Sequence, residues 1–195
     1  NIGAQAGGWT VTWQGIEGNG FWLGPHKETS GATSILEGLK NIAPQAIFIT
    51  SQQETALYPD IHADNSVMIG VLAEPPYAEF MGDIADSICV DCEEFNKGNL
   101  YTLHLNCYLP FCQKQSLAID YEQLDQDMIL AVKNIHSHIP LITVLLSGRP
   151  LIIQQPLNKS DAFIAAWLPG TSGGQAIANA LFGHFLFGNG KSRRG

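Results

Sequence analysis

The sequence predicts an α/β fold in which a mostly parallel sheet is covered on both faces by helices, and two observations carry that expectation. Three short apolar runs, Ala46 to Thr50, Val67 to Ala73 and Leu141 to Ser147, are rich in Val, Ile and Leu and close on polar, Gly or Pro residues, as strands buried on both faces do. Stretches with helical rather than alternating spacing lie between and after them, and strands that alternate with helices favour parallel pairing.

Taken in order, the first helix is expected over Thr33 to Ile42, with Ile35, Leu36 and Leu39 on its apolar face. A second runs over Leu124 to Ile135, where Leu124, Met128, Val132 and Ile135 recur at helical spacing. A third covers about Gly174 to Leu181, after the Gly-rich turn Pro169-Gly170-Thr171-Ser172-Gly173. From about Asp86 to Gln115 the pattern breaks, with weak periodicity and all four cysteines, so residues 86–115 read as an insertion. The 195 residues, 45% hydrophobic and 14% charged, suffice for one globular domain over residues 1–195.

The net charge of −8 leaves little to attract a phosphate backbone, and the only basic cluster is Lys191, Arg193 and Arg194, so no nucleic-acid partner is expected. No apolar run approaches the roughly 20 residues that span a bilayer, and no membrane partner is expected either. Asn1 to Gln5 shows no basic or apolar leader and no initiating Met, so the chain reads as a processed piece or fragment whose compartment is not legible.

In parallel sheets ligands bind beyond the carboxyl ends of strands, which directs attention to the segments after Ala73 and Ser147. Glu74-Pro75-Pro76-Tyr77-Ala78-Glu79-Phe80-Met81-Gly82-Asp83 places three carboxylates on a loop stiffened by two prolines. A carboxyl group flanked by Tyr77 and Phe80 would hold its proton more tightly if desolvation dominated, as a general acid near neutral pH requires. The bland alternative is a solvated turn. Earlier in the chain, Gly7-Gly8-Trp9-Thr10-Val11-Thr12-Trp13-Gln14-Gly15 offers two indoles for stacking on sugar faces and an amide for hydroxyls. The same alternation would also suit a buried strand with positions 9, 11 and 13 on one face.

Five segments in order, Gly7 to Gly15, Gly31-Ala32-Thr33-Ser34-Ile35 with Gly38-Leu39-Lys40, Glu74 to Asp83, Leu146-Ser147-Gly148-Arg149-Pro150-Leu151, and Asp161-Ala162-Phe163-Ile164-Ala165-Ala166-Trp167-Leu168-Pro169-Gly170, resemble the C-terminal domain of family 3 glycoside hydrolases. The likeness is to the β-glucosidase and exo-β-glucanase branch of plants and bacteria. It implies a three-layer αβα sandwich with a sheet of about six strands. It also implies that Glu79 is the general acid/base, with Glu74, Tyr77 and Asp83 supporting it. Trp13, and less strongly Trp9, would stack on the aglycone side of the sugar.

The implied activity is retaining hydrolysis of terminal β-D-glucosyl residues, on a β-glucoside or β-glucan oligosaccharide, with no metal or organic cofactor. The nucleophile would belong to an N-terminal barrel domain that this chain lacks, so the chain alone is expected to be inactive, and the family implies a secreted or periplasmic setting. A non-catalytic carbohydrate-binding or interaction module that kept the fold is the alternative. An enzyme domain should show Glu79 on an open face beside Trp13 with apolar surface bare, whereas a binding module should show that face closed or polar. A nucleotide-binding role has no Gly-x-Gly-x-x-Gly or P-loop pattern behind it.

Two segments depart from the resemblance: Thr171-Ser172-Gly173-Gly174-Gln175 stands where family members usually carry Glu, and Phe187 to Gly195 replaces the usual closing strand. Cys89, Cys92, Cys107 and Cys112 are compatible with unpaired thiols or two disulfides of undetermined connectivity; a zinc site is opposed by the spacing and by neighbouring Asp91, Glu93 and Glu94. His136 and His138 suit a helix end rather than a ligand set. Arg149 is expected in a structural salt bridge, and Asp161 as a helix cap.

Overall fold

The computed structural model describes residues 2–16, 18, 31–50, 62–80 and 138–184. In chain order these form α1 (Ile2–Ala6), α2 (Ile35–Ile42), β1 (Met68–Ala73), β2 (Leu141–Leu146), α3 (Gln154–Lys159), β3 (Ala162–Trp167) and α4 (Gly173–Leu181). The three strands form one sheet in the order β1-β2-β3, and both pairings are parallel.

The centre of the sheet is β2, where Leu141, Thr143, Val144, Leu145 and Leu146 are all buried. Strand alternation sends Val144 and Leu146 to one face, where they meet Ile35 and Leu39 of α2 and Ile177 and Ala178 of α4. Leu145 lies in a separate cluster with Leu72 of β1, Phe163 of β3, and Leu151 and Ile153 from the approach to α3. A strand with apolar neighbours on both sides reads as a continuous apolar run, which is why β2 is legible in the sequence.

Two glycines let α2 and α4 meet closely. A Cβ on Gly38 would collide with the Gly174 carbonyl, and one on Gly174 with the Ser34 carbonyl. Helix α2 begins at Ser34, whose Oγ accepts from the Glu37 N–H at 3.2 Å and satisfies one of the free donors of the first turn. Thr33 is tied to the start of α4, donating its N–H to the Thr171 carbonyl (2.8 Å) and accepting from the Gly174 N–H (3.2 Å). The buried Gln5 of α1 completes the joint: its Nε2 donates to the carbonyls of Thr33 (3.0 Å) and Gly170 (2.8 Å).

Several expectations need correction. The described residues form three strands rather than about six. Ala46 to Thr50 is irregular chain: only Phe48 packs against the core, while Ile47 is 67% exposed, so β-branched composition alone did not secure a ladder partner. Leu36 is exposed because it stands about 100° around the helix from Ile35 and about 60° from Leu39, at the edge of the buried stripe. Asp161 caps no helix; its Oδ2 accepts from the Leu141 N–H at 2.7 Å, closing the entry of β2. Strand β3 and helices α1 and α3 were not anticipated. The expected helix Leu124 to Ile135, the insertion 86–115 with its four cysteines, His136, Asp83 and Phe187 to Gly195 lie outside the described residues.

Candidate active site

The loops leaving β1 and β2 meet as the sheet topology requires. Glu74 N–H donates to the Leu146 carbonyl at 3.0 Å, and Ser147 N–H to the Trp167 carbonyl at 3.1 Å, so the ladder continues into both exits. The pairing of β2 with β3 slips there, with Leu145 opposite Ala165 but Leu146 opposite Trp167. Trp167 itself has φ 58°. A bulge at this end redirects the exiting chain.

Glu74 anchors the two loops to each other. Its Oε1 accepts from Arg149 Nε at 2.9 Å and Nη2 at 2.8 Å, and its Oε2 accepts from the Gly148 N–H and the Tyr77 hydroxyl, each at 3.3 Å. The Arg149 guanidinium lies 4.8 Å from the Tyr77 ring centroid, so the same cation also packs on the aromatic face. A Cβ on Gly148 would stand 2.7 Å from the Tyr77 hydroxyl, which leaves little room for any other residue there. Burial, and after it the Glu74 carboxylate, pushes the Tyr77 hydroxyl above the ordinary phenol value. It therefore remains a donor through the neutral range.

The segment Gly7 to Gly15 is a turn and no strand. Trp9 (φ 61°) and Val11 (φ 68°) both have left-handed backbones, a conformation that is unusual for bulky side chains. It is held by Trp9 N–H donating to the Trp13 carbonyl at 2.9 Å, Gly15 N–H to the Thr12 carbonyl at 3.1 Å, and Thr12 Oγ1 to the Gly15 carbonyl at 2.8 Å. Gly8 passes so near the Tyr77 carbonyl that a Cβ would collide with it. Both tryptophans face outward, Trp9 69% and Trp13 47% exposed, with ring centroids 6.2 Å apart.

This turn grips the acidic loop at Glu79. Trp13 Nε1 donates to Glu79 Oε2 at 2.8 Å, while Gln14 accepts from the Ala78 N–H at 2.7 Å and donates to the Glu79 carbonyl at 3.1 Å. Phe80, 75% exposed with φ 70°, meets the edge of the Trp13 ring at 6.1 Å between centroids. The indole of Trp13 first, then a backbone N–H and to a smaller degree Trp9, hold the Glu79 carboxyl below the usual carboxylate range. That reverses the expectation of a desolvated, proton-retaining acid: Glu79 is exposed here, so donors outweigh burial.

The structure therefore gathers Glu74, Tyr77, Glu79, Trp9 and Trp13 on one face. Sequence reading missed Gln14 as a contact of the acidic loop and Gly8 as its point of closest approach. Trp9, Trp13 and Phe80 are exposed beside the Glu79 carboxyl, an apolar patch next to an ionisable group. His138 is exposed, its ring 6.5 Å from that of His62. Among the described residues no group of three or more His, Cys, Asp or Glu could hold a metal ion.

Parallel strands with helices between them, and indoles and a carboxyl group beyond their carboxyl ends, make this an α/β domain. More specifically, the chain belongs to the glycosyl hydrolase family 3 C-terminal domain family, whose model matches residues 1–191. It is 40% identical over 67 residues to a periplasmic beta-glucosidase of Salmonella typhimurium, a match covering 34% of this chain and 8% of that protein. It is 26% identical over 193 residues to a lysosomal beta glucosidase of Dictyostelium discoideum, covering 91% of this chain and 18% of the other.

Among solved structures it is similar to an exo-1,3/1,4-beta-glucanase from a Pseudoalteromonas species, with TM-score 0.54 and 31% identity over 90% of this chain and 17% of that one. A point variant of that enzyme gives TM-score 0.55 and 30% identity, covering 90% and 22%. The chain thus spans less than a quarter of each of these relatives. No helix among the described residues is long and apolar enough to cross a membrane.

Proposed function

We propose that this domain supplies the acid/base carboxylate and part of the aglycone-side wall of a retaining β-glucosidase or exo-β-glucanase. The observation that carries the reading is the placement of Glu79, on an open loop beyond β1, hydrogen-bonded to Trp13 and flanked by a second exposed indole. Glu79 would protonate the glycosidic oxygen of a terminal β-D-glucosyl unit while a carboxylate from an N-terminal barrel domain attacks the anomeric carbon. It would then take a proton from the water that releases the sugar. Trp13 and Trp9 would present apolar faces to the aglycone. Glu74 and Tyr77 would brace the loop, and Asp83 would support it from beyond the described residues. A periplasmic or secreted setting follows the bacterial relative's name.

Electrostatics give the second domain a definite task. Alone, Glu79 is held ionised, the wrong form for donating a proton. A covering domain would strip water from it and bring a nucleophilic carboxylate to about 5 to 5.5 Å, and both changes raise its pKa. The isolated chain is therefore inactive in this reading, and measurable turnover by it would contradict the scheme.

The direct test is Glu79→Gln in the native polypeptide. Hydrolysis of an alkyl β-glucoside should fall by about 10²- to 10⁴-fold, the usual worth of a positioned acid/base group, without loss of folding. Unchanged turnover would remove Glu79 from the mechanism.

A further inference from the structure

We infer that Gln14 is a positioning residue for Glu79, fixing the main chain of the acid loop; this rests on the reading of Glu79 as acid/base. The Gln14 carboxamide acts as a peptide would on both sides of the loop, its Oε1 accepting from the Ala78 N–H at 2.7 Å and its Nε2 donating to the Glu79 carbonyl at 3.1 Å. Only an amide of this length offers an acceptor and a donor from one planar group. A Glu would keep the first bond and set an anion against the second carbonyl.

The loop has need of such a clamp. Pro75 and Pro76 stiffen it on the approach, but immediately after Glu79 the chain enters the left-handed region at Phe80, with φ 70°. The turn that carries Gln14 is itself packed down on Pro76: a Cβ on Gly15 would stand 2.6 Å from the Gly7 carbonyl oxygen and 2.8 Å from Pro76 Cβ. Because Trp13 and Gln14 are consecutive, one rigid turn sets both the carboxylate, through the indole, and the backbone that bears it, through the amide. A proton donor must stay aligned with the leaving oxygen, and a displacement of about 1 Å can cost on the order of 10²-fold.

A leaving-group comparison in the native polypeptide separates this role from a general structural one. Departure of dinitrophenolate needs little proton assistance, whereas departure of an alkoxide needs it fully. Gln14→Met, equal in length and without the amide, should lower kcat/KM for an alkyl β-glucoside roughly 10- to 100-fold while leaving a dinitrophenyl β-glucoside near the unmodified enzyme's value. Gln14→Glu, which keeps the acceptor for the Ala78 N–H but replaces the donor to the Glu79 carbonyl with an anionic oxygen, should shift in the same direction and serves in its place if the Met variant does not fold. Equal losses on the two substrates, or none, would overturn the role of Gln14 provided Glu79→Gln itself discriminates between them. If Glu79→Gln loses both equally, the acid/base reading fails, and this inference with it.

Discussion

Trp13 Nε1 and Glu79 Oε2 stand 2.8 Å apart, a hydrogen bond between residues separated by 66 positions in sequence. The bond joins two loops that no secondary structure connects, and it favours the ionised carboxyl. Replacing Trp13 by Phe keeps an aromatic ring and deletes the N–H, so the Glu79 pKa should rise toward the ordinary carboxylate value. A carbon-detected NMR titration of the Glu79 carboxyl would measure it, and an unshifted titration would show that the indole does not set the charge.

The same bond makes stability depend on pH with a defined sign. A carboxyl whose pKa is lowered by folding contributes stability above its unfolded value and loses it as pH falls through the lower, folded value. The unmodified chain should therefore lose stability across that acidic window, and Trp13→Phe should flatten this part of the profile. Urea midpoints collected as a function of pH would reveal it. Because Glu79 is exposed, the difference should be small and should shrink with added salt.

Glu74 and Arg149 make the second long-range link, and here the partners are mostly shielded from water. Arg149→Met would leave Glu74 Oε1 without the cation that donates to it from two nitrogens, and free the Tyr77 ring on one side. The expected cost is about 1 to 3 kcal/mol, the range for a hydrogen bond to a charged group left unmade, read from denaturant unfolding. Glu74→Gln should cost less when Arg149 is already Met, since the two act on one interaction. Strict additivity of the two substitutions would indicate that the pair contributes no coupling.

How far the sequence reveals this arrangement depends on the range of the interaction. Strands β1 and β2 announce themselves because residues buried on both sheet faces must be apolar in succession, and α2 because Ile35 and Leu39 recur at helical spacing. Ala46 to Thr50 has the same composition and yet forms no ladder, since a strand is made by its neighbours. Strand β3 was overlooked for the opposite reason: Ala162, Ala165 and Ala166 have weak intrinsic strand preference, and pairing with β2 imposes the conformation. At the site, the loop after β1 and the two indoles were legible as chemistry. The grip of Gln14 on Ala78 and Glu79 was not, because it joins distant segments, nor was the left-handed turn at Trp9 and Val11, a backbone conformation that bulky residues rarely adopt.

Gln5 is a buried amide whose two donors are taken by main-chain carbonyls of Thr33 and Gly170, so it fastens α1 to the segments that open α2 and α4. Gln5→Leu matches its bulk but leaves both carbonyls without that donor. A loss of about 1 to 3 kcal/mol is expected, measurable as a lowered urea midpoint with little change in slope. A neutral result would mean that water or rearranged main chain replaces the amide.

Gly38 offers a test in which two effects predict opposite signs. It lies inside α2, where exchanging Gly for Ala ordinarily stabilises a helix by about 0.8 to 1 kcal/mol through propensity alone. Here the added methyl would run into the Gly174 carbonyl at the start of α4, backbone that is itself tied to Thr33 and cannot yield as a side-chain tip would. Separation of α2 from α4 would open the cluster that unites Ile35, Leu39, Val144 and Ile177. Overpacking of this kind costs about 1 to 3 kcal/mol, enough to exceed the propensity gain, so Gly38→Ala should lower the thermal midpoint. A raised midpoint would mean that the helices can shift apart without disturbing the core.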